Sequence, residues 1–258
     1  MISYDELGDE LFTALRERRV VAPLTGRVPG ITIDDAYRIS SRILSRRQAE
    51  GETLVGKKIG VTSLAVQSML GVYQPDFGYL TSAMWIHGDE IPVSTTLIQP
   101  RAEGEIAFVL ARDLIGPGVT NDDVLRAVDH ALVCFEIVDS RIADWKIKIE
   151  DTVADNASSG LFAVGATRID VRGFDFFSCG MVVEKNGKIL STGAGAAALG
   201  SPLTCVAWLA NTLGGYGVPL KAGEIVLSGS LVPLEKVGPG DHMKVTLAGG
   251  GSLSVRFT

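Results

Sequence analysis

The chain has 258 residues, 46% of them hydrophobic, three cysteines and a formal net charge of -6. That suffices for one large domain, or one domain with a helical extension, and for a core that needs no disulfide staples. An acidic balance without a long basic run argues against a nucleic-acid partner. The start, Met1-Ile2-Ser3-Tyr4-Asp5-Glu6, lacks the positive and apolar regions of a secretory signal. No uninterrupted apolar segment reaches the roughly 20 residues of a membrane-spanning helix. Cys134, Cys179 and Cys205 show no CxxC spacing and read as reduced core thiols of a cytoplasmic protein. His87, His130 and His242 stand singly, so zinc is not expected and any metal would need carboxylate ligands.

In chain order, the opening segment places Leu7, Leu11, Ala14 and Leu15 on one helical face. A second helix is expected from about Ile33 to Glu50, stopped by Gly51, and a short one between Ser63 and Gly71. Asn121 to Ala131 is another candidate, with Val124 and Val128 a turn apart. Ser201-Pro202 is a good cap and first-turn pair for a helix closed by Gly214-Gly215. The run Met181 to Leu190 reads as a hairpin around a type I′ Asn186-Gly187 turn. At the C-terminus, alternating Val245 and Leu247, then Leu253, Val255 and Phe257, flank the turn Gly249-Gly250-Gly251. Hairpins with helices gathered in the N-terminal half predict an α+β fold and not a doubly wound sheet.

Three carboxylates break this pattern. After Pro100, the stretch Arg101 to Leu110 reads as a strand in which Glu103 and Glu105 share a face with Ala107 and Val109. Like charges on an apolar face repel and resist desolvation, a conflict that a divalent cation resolves. Glu136 interrupts the apolar strand Ala131 to Val138 and also needs a partner. Three carboxylates without a nearby histidine suit Mg²⁺ or Mn²⁺. A blander arrangement leaves Glu103 and Glu105 on a wet face and pairs Glu136 with Arg101 or Arg141. Spacing alone does not choose between the two.

Other groups have chemistry to offer. In Val55 to Thr62, Lys57 shares its face with Val55, Ile59 and Val61, whereas Lys58 sits between Gly56 and Gly60, with room beside it for a ligand. Two surface lysines would look similar. Asp76 lies in the turn-rich Gln74 to Leu80, where it could cap a turn, and Asp151 to Gly160 forms a dense polar loop. Gly193 to Ala198 fits GxGxxA, yet it follows a hairpin strand and the next helix starts too late for a dinucleotide site. Its small residues point to close backbone packing. Neither a GxSxG elbow nor a Walker lysine is present.

Taken together, Gly56-Lys57-Lys58-Ile59-Gly60-Val61-Thr62-Ser63, Gln74-Pro75-Asp76-Phe77-Gly78, Gln99 to Glu105, Val138-Asp139-Ser140-Arg141 and Asp151 to Ser158 carry a resemblance that runs almost end to end. The sequence resembles the hydratase/decarboxylase branch of the fumarylacetoacetate hydrolase superfamily, within it the 2-hydroxypenta-2,4-dienoate hydratases of aromatic meta-cleavage pathways. The resemblance implies an α+β, β-rich mixed roll with a helical part over residues 1–75, a catalytic domain over 76–258, and Lys58 reaching into the same site. It implies Glu103, Glu105 and Glu136 as ligands of Mg²⁺ or Mn²⁺, Lys58 and Asp76 as acid/base groups, and Ser158 close to the substrate. Ser230 joins them as a substrate-binding group. The activity implied is addition of water to a small unsaturated 2-oxo acid, by a homo-oligomer that also associates with 4-oxalocrotonate decarboxylase. That decarboxylase reaction is the nearest alternative for this chain, although its enzymes typically lack an acid where Asp76 stands. Longer-chain dioate hydratases would need a cation for a second carboxylate, and no basic residue stands out for it. C–C hydrolysis of a β-diketo acid is the third reading, disfavoured because those relatives carry a lysine in the loop held here by Asp155 to Ser158.

Overall fold

The computed structural model describes residues 3–258, apart from the side chains of Ala65, Met69 and Leu70. Two capped helices open the chain. Helix α1 (Tyr4–Glu17) starts from a Ser3–Glu6 capping box and α2 (Ile33–Ala49) from a Thr32–Asp35 box, each satisfying backbone donors that a helix start leaves free. Leu7, Leu11 and Ala14 pack with Ala36, Ile39 and Ile43 in a small core of their own, while Leu15 is half-buried.

Next comes β1 (Leu54–Gly60), a short helix α3 (Leu64–Leu70) and β2 (Asp76–Thr81). Then follow β3 (Glu90–Ile91), α4 (Val93–Thr96), the long β4 (Arg101–Leu110), α5 (Asn121–Ala127) and β5 (Val128–Val138). Helix α6 (Ile149–Ala154) leads into β6 (Ser159–Val164). The hairpin β7 (Gly180–Lys185) and β8 (Lys188–Ala194) precedes α7 (Pro202–Gly214). The chain ends with β9 (Ile225–Leu227), β10 (Glu235–Lys236), β11 (His242–Leu247) and β12 (Gly251–Phe257).

The strands form two sheets. A seven-stranded sheet runs β2-β1-β9-β4-β5-β6, with β10 also on β4, and a five-stranded sheet runs β3-β12-β11-β7-β8. Ile106, Phe108, Val133 and Phe135 from the first meet Met181, Val183, Val245 and Phe257 from the second in the main core. At Gly104 the sheets approach closely, since a Cβ there would sit 2.8 Å from Met181 Sδ. Strand β1 is antiparallel to β2 but parallel to β9, so residues 54–60 are built into the sheet that holds β4 and β5. The result is an α+β mixed roll.

The helix expected to reach Ala131 stops at Ala127, because Val128 enters β5 opposite Leu110, and strand pairing outweighs helical spacing there. Asn186 and Gly187 have φ of 53° and 77°, the two left-handed residues of a type I′ turn. At Gly193 and Gly195 a Cβ would lie 1.8 Å from the carbonyl oxygens of Leu231 and Phe176, so these glycines serve backbone packing. By length and composition Gly195–Gly214 is apolar enough to cross a membrane. Helix α7 itself covers only Pro202–Gly214 and buries Cys205, Val206, Leu209 and Leu213 in the core.

Candidate metal centre and active site

Strand alternation sorts β4 into two faces. Ala102, Gly104, Ile106 and Phe108 turn to the core between the sheets, which leaves Arg101, Glu103, Glu105 and Ala107 on the other side. The β4–β5 register sets Glu103 directly opposite Glu136. Beneath the carboxylates lies an apolar floor that includes Ala107, Leu132, Cys134, Phe162 and Leu227. One oxygen from each of Glu103, Glu105 and Glu136 falls within 4.8 Å of the other two.

Glu105 and Glu136 are buried and Glu103 half-buried. Glu105 Oε2 accepts a hydrogen bond from the Gly229 amide at 2.9 Å, and Lys58 Nζ lies 3.1 Å from Glu136 Oε1. Glu105 Oε1 and Glu136 Oε2 are buried with no hydrogen-bond partner among the described residues. Burial first, and then mutual repulsion, push the Glu103 carboxyl up to about 7 and the Glu105 carboxyl well above the ordinary carboxylate range. Burial also raises Glu136, against the pull of Lys58. Converging oxygens, two of them orphaned, are a donor set that fits a hard divalent cation such as Mg²⁺ or Mn²⁺. Pairing of Glu136 with Arg101 or Arg141 does not occur, because Glu136 meets Lys58 and Arg141 binds Asp155.

The lysines of β1 part company. Lys57 turns to the core side and closes on Glu224 at 2.6 Å. Lys58 reaches the carboxylates; burial pulls its pKa down, but Glu136, Asp76, Glu103 and Glu105 more than reverse that and hold the ammonium form. Asp76 opens β2 opposite Gly60 and is buried, with no hydrogen-bond partner for Oδ1 among the described residues. A Cβ at Gly60 would lie 2.3 Å from Asp76 Oδ1 and 3.5 Å from Lys58 Nζ, so glycine here makes room for both groups. Burial raises the Asp76 carboxyl, opposed by Lys58. The next residue, Val61, has φ 56°, a costly conformation for a β-branched side chain; Gln67 Nε2 donates to its carbonyl at 3.0 Å.

Ser158 sits in a left-handed turn, Asn156-Ala157-Ser158, with φ of 55°, 50° and 52°. Such a turn persists only when its surroundings over-determine it. Arg141 clamps the preceding Asp155, its amide donating to Oδ2 at 2.9 Å and its guanidinium to Oδ1. Asn156 bonds both ways to the Tyr79 backbone, at 2.7 and 2.9 Å. Gly78 lets the turn lie on β2, since a Cβ there would meet Asn156 O at 2.5 Å. Ser158 Oγ is buried 3.1 Å from Thr152 Oγ1 and, among the described residues, makes no hydrogen bond to the carboxylates. Ser230, by contrast, stands beside Glu103, its hydroxyl donating to the Val232 carbonyl and accepting from the Val232 amide at 3.2 Å.

Glu103, Glu105, Glu136, Lys58, Asp76 and Ser230 are thus brought together, with Ser158 on the turn over β2. Sequence reasoning missed the Gly229 amide; the available signal was a glycine between Ser228 and Ser230 after an apolar run, and its φ of 90° shows why glycine stands there. It also missed Gly60 as the space for Asp76. A cleft of about 550 Å³, lined by residues that include Tyr37, Gln74, Glu150, Trp208 and Tyr216, has none of the site's side chains in its wall. Tyr37 stacks on Phe77, the neighbour of Asp76, with ring centroids 4.3 Å apart.

Residues 72–258 match the fumarylacetoacetate (FAA) hydrolase C-terminal family. The chain is 65% identical over 215 residues to a 2-hydroxypent-2,4-dienoate hydratase of Pseudomonas putida, covering 83% of this chain and 97% of that one. It is 53% identical over 253 residues to a 2-hydroxyhexa-2,4-dienoate hydratase of Comamonas testosteroni, covering 97% and 96%. Among solved structures, 4-oxalocrotonate decarboxylase from Pseudomonas putida G7, complexed with magnesium and adipate, superposes with a TM-score of 0.95 at 36% identity, covering 99% and 97%. The chain belongs to the fumarylacetoacetate hydrolase family, in the branch that holds these hydratases and the decarboxylase.

Proposed function

We propose that the protein is a metal-dependent hydro-lyase that adds water to 2-hydroxypenta-2,4-dienoate and yields 4-hydroxy-2-oxopentanoate. The observation that carries this reading is the buried Glu103–Glu105–Glu136 cluster with both Lys58 and Asp76 beside it. The hydratase relatives at 53–65% identity support the substrate class. Glu103, Glu105 and Glu136 would hold Mg²⁺ or Mn²⁺, which would supply Lewis acidity for an oxyanion of the substrate.

The remaining work falls to side chains. The enol proton leaves the C2 oxygen and a proton is delivered to C5, giving a conjugated 2-oxo acid. Water then adds at C4 as a proton reaches C3, so one water is consumed and none is released. Lys58 and Asp76 share these transfers: the lysine stands in its ammonium form, and burial favours the protonated form of the aspartic acid. Ser230, beside Glu103, and Ser158 on its turn hold the substrate.

The protein works in the cytoplasm as a homo-oligomer and associates with the pathway's decarboxylase. Three free, buried cysteines fit a reducing compartment. Exposed Phe177, Ile189 and Leu190 near edge strand β8 support self-association, and the near-identical decarboxylase fold supports mixed assembly. Light scattering of the protein alone and mixed with the decarboxylase tests both, and two unshifted monomer peaks would defeat them.

Function is tested with EDTA-stripped protein and fresh 2-hydroxypenta-2,4-dienoate, with and without Mg²⁺ or Mn²⁺. Metal-restored loss of dienol absorbance, with 4-hydroxy-2-oxopentanoate formed, is the expected outcome. The decarboxylase likeness calls for a parallel sample of 2-oxohex-3-enedioate. Release of CO₂ there without hydration of the dienoate would move the chain to the decarboxylase activity.

A further inference from the structure

Arg101, Glu103 and Glu105 share one face of β4, so a cation stands one strand step outside the ligand pair, its Cα about 7 Å from that of Glu103. Its guanidinium packs with Cζ 4.8 Å from the centroid of the Trp145 ring. The indole is pinned in turn, donating from Nε1 to the Gln99 carbonyl at 3.2 Å, on a backbone where Asp144 and Trp145 both have φ 56°. Other buried or half-buried arginines close on carboxylates: Arg42 and Arg46 on Asp9, Arg47 on Glu52, Arg141 on Asp155. Arg101 has no such partner among the described residues, and its Nε is buried without an acceptor. Directly across the ladder stands Lys236. Like charges facing each other on one side of a sheet destabilise it unless an anion comes between them.

We propose that Arg101 is a specificity-determining residue that receives the C1 carboxylate of the 2-oxo acid, its guanidinium plane held ready on Trp145. This rests on the hydratase reading above. Lys58 and Asp76 must reach C3, C4 and C5, so the reacting carbons lie towards β1 and β2. The carboxylate is left at the opposite end of the cluster, where Arg101 begins β4. A guanidinium matches a carboxylate with two parallel hydrogen bonds, and stacking on an aromatic ring fixes its plane. An ammonium at this position would supply charge without the fork.

The test is calorimetric titration of the Mg²⁺-loaded protein with pyruvate and with pyruvamide, its neutral amide, for wild type, Arg101→Gln and Arg101→Lys. Arg101→Gln is expected to weaken pyruvate on the order of 10–100-fold while pyruvamide changes less than about threefold, with Arg101→Lys in between. Mg²⁺ affinity should stay at the wild-type value, and dienoate turnover should show a raised KM with kcat changed only a few-fold. Unchanged pyruvate binding, or equal loss of pyruvate and pyruvamide, would overturn the proposal, the latter marking a merely structural role. Should Arg101→Gln fail to fold, Arg101→Lys carries the same comparison. Carboxylate discrimination that depends on Arg101 in a protein that does not hydrate the dienoate would instead sink the hydratase reading and leave this one standing.

Discussion

The two faces of the seven-stranded sheet follow opposite rules although they share every backbone bond. Towards the second sheet stand Ile106, Phe108, Val133 and Phe135, side chains whose burial stabilises the fold at no electrostatic cost. On the reverse face the same strands carry Glu103, Glu105 and Glu136, charges held close together over an apolar floor. Lys57 and Lys58 repeat the contrast within two residues. The first is neutralised by Glu224 and serves the fold, whereas the second faces an excess of carboxylates and is available for chemistry. One face stores stability and the other spends it where a ligand can recover it.

Breaking the ligand face should give the largest effect. Glu105→Gln is expected to lower metal-dependent activity at least about 10³-fold. It should also stabilise the metal-free protein by roughly 1–3 kcal/mol, because one uncompensated buried charge is gone. Phe135→Ala, one residue from Glu136 but on the core face, should do the reverse, losing about 3–5 kcal/mol of stability while Mg²⁺ still binds the folded fraction. Denaturant titrations with and without metal read both; a Glu105→Gln protein less stable than wild type without metal would break the contrast.

The lysine pair sharpens it. Lys58→Ala should reduce kcat by about 10²–10⁴ with the fold retained. Lys57→Met leaves Glu224 buried without a counter-ion, keeping only the Lys221 amide, so about 3–5 kcal/mol of stability should be lost, with near-normal kcat in the molecules that stay folded. Exchanged phenotypes in unfolding and steady-state assays would mean that the two side chains had been assigned to the wrong faces.

A smaller effect concerns pH. In the folded metal-free protein Glu103 titrates at about 7, against about 4.3 in an unfolded chain. The folded state therefore holds a proton that the unfolded chain has lost across that window. This contribution is fully present below about pH 4.3 and is lost as pH rises through about 7. Metal must displace the same proton, so Mg²⁺ affinity should climb from pH 6 to 8 with proton release, as calorimetry in buffers of different ionisation heat would register. Affinity independent of pH would contradict it. Least of all, Ser158→Ala should raise KM about 2–10-fold and leave Mg²⁺ binding alone; an unchanged KM would take the substrate contact away from Ser158.

Much of this was open to reading along the chain. The alternation around Glu103 and Glu105, Glu136 inside an apolar run, the Asn186-Gly187 turn and the Ser201-Pro202 cap are local patterns, and local stereochemistry enforces them. The end of α5 was misjudged because Val128 obeys its strand partner and not its helical neighbours. Spacing also left open whether Glu136 would meet an arginine, and which lysine would matter.

From its own residues the sequence determined which strands would carry charge on one face, where α2, α3, α5 and α7 would start, and that any metal would be bound through oxygen, whereas α6 lies partly in what reads as a polar loop. Tertiary structure alone decided that Glu103 lies opposite Glu136, that β1 enters between β2 and β9 to deliver Lys58, that Gly60 yields space to Asp76, and that residues 156–158 turn left-handed under the Arg141 clamp. Register and crossover depend on burying both faces of a sheet at once, which is a property of residues distant in sequence and not of any one segment.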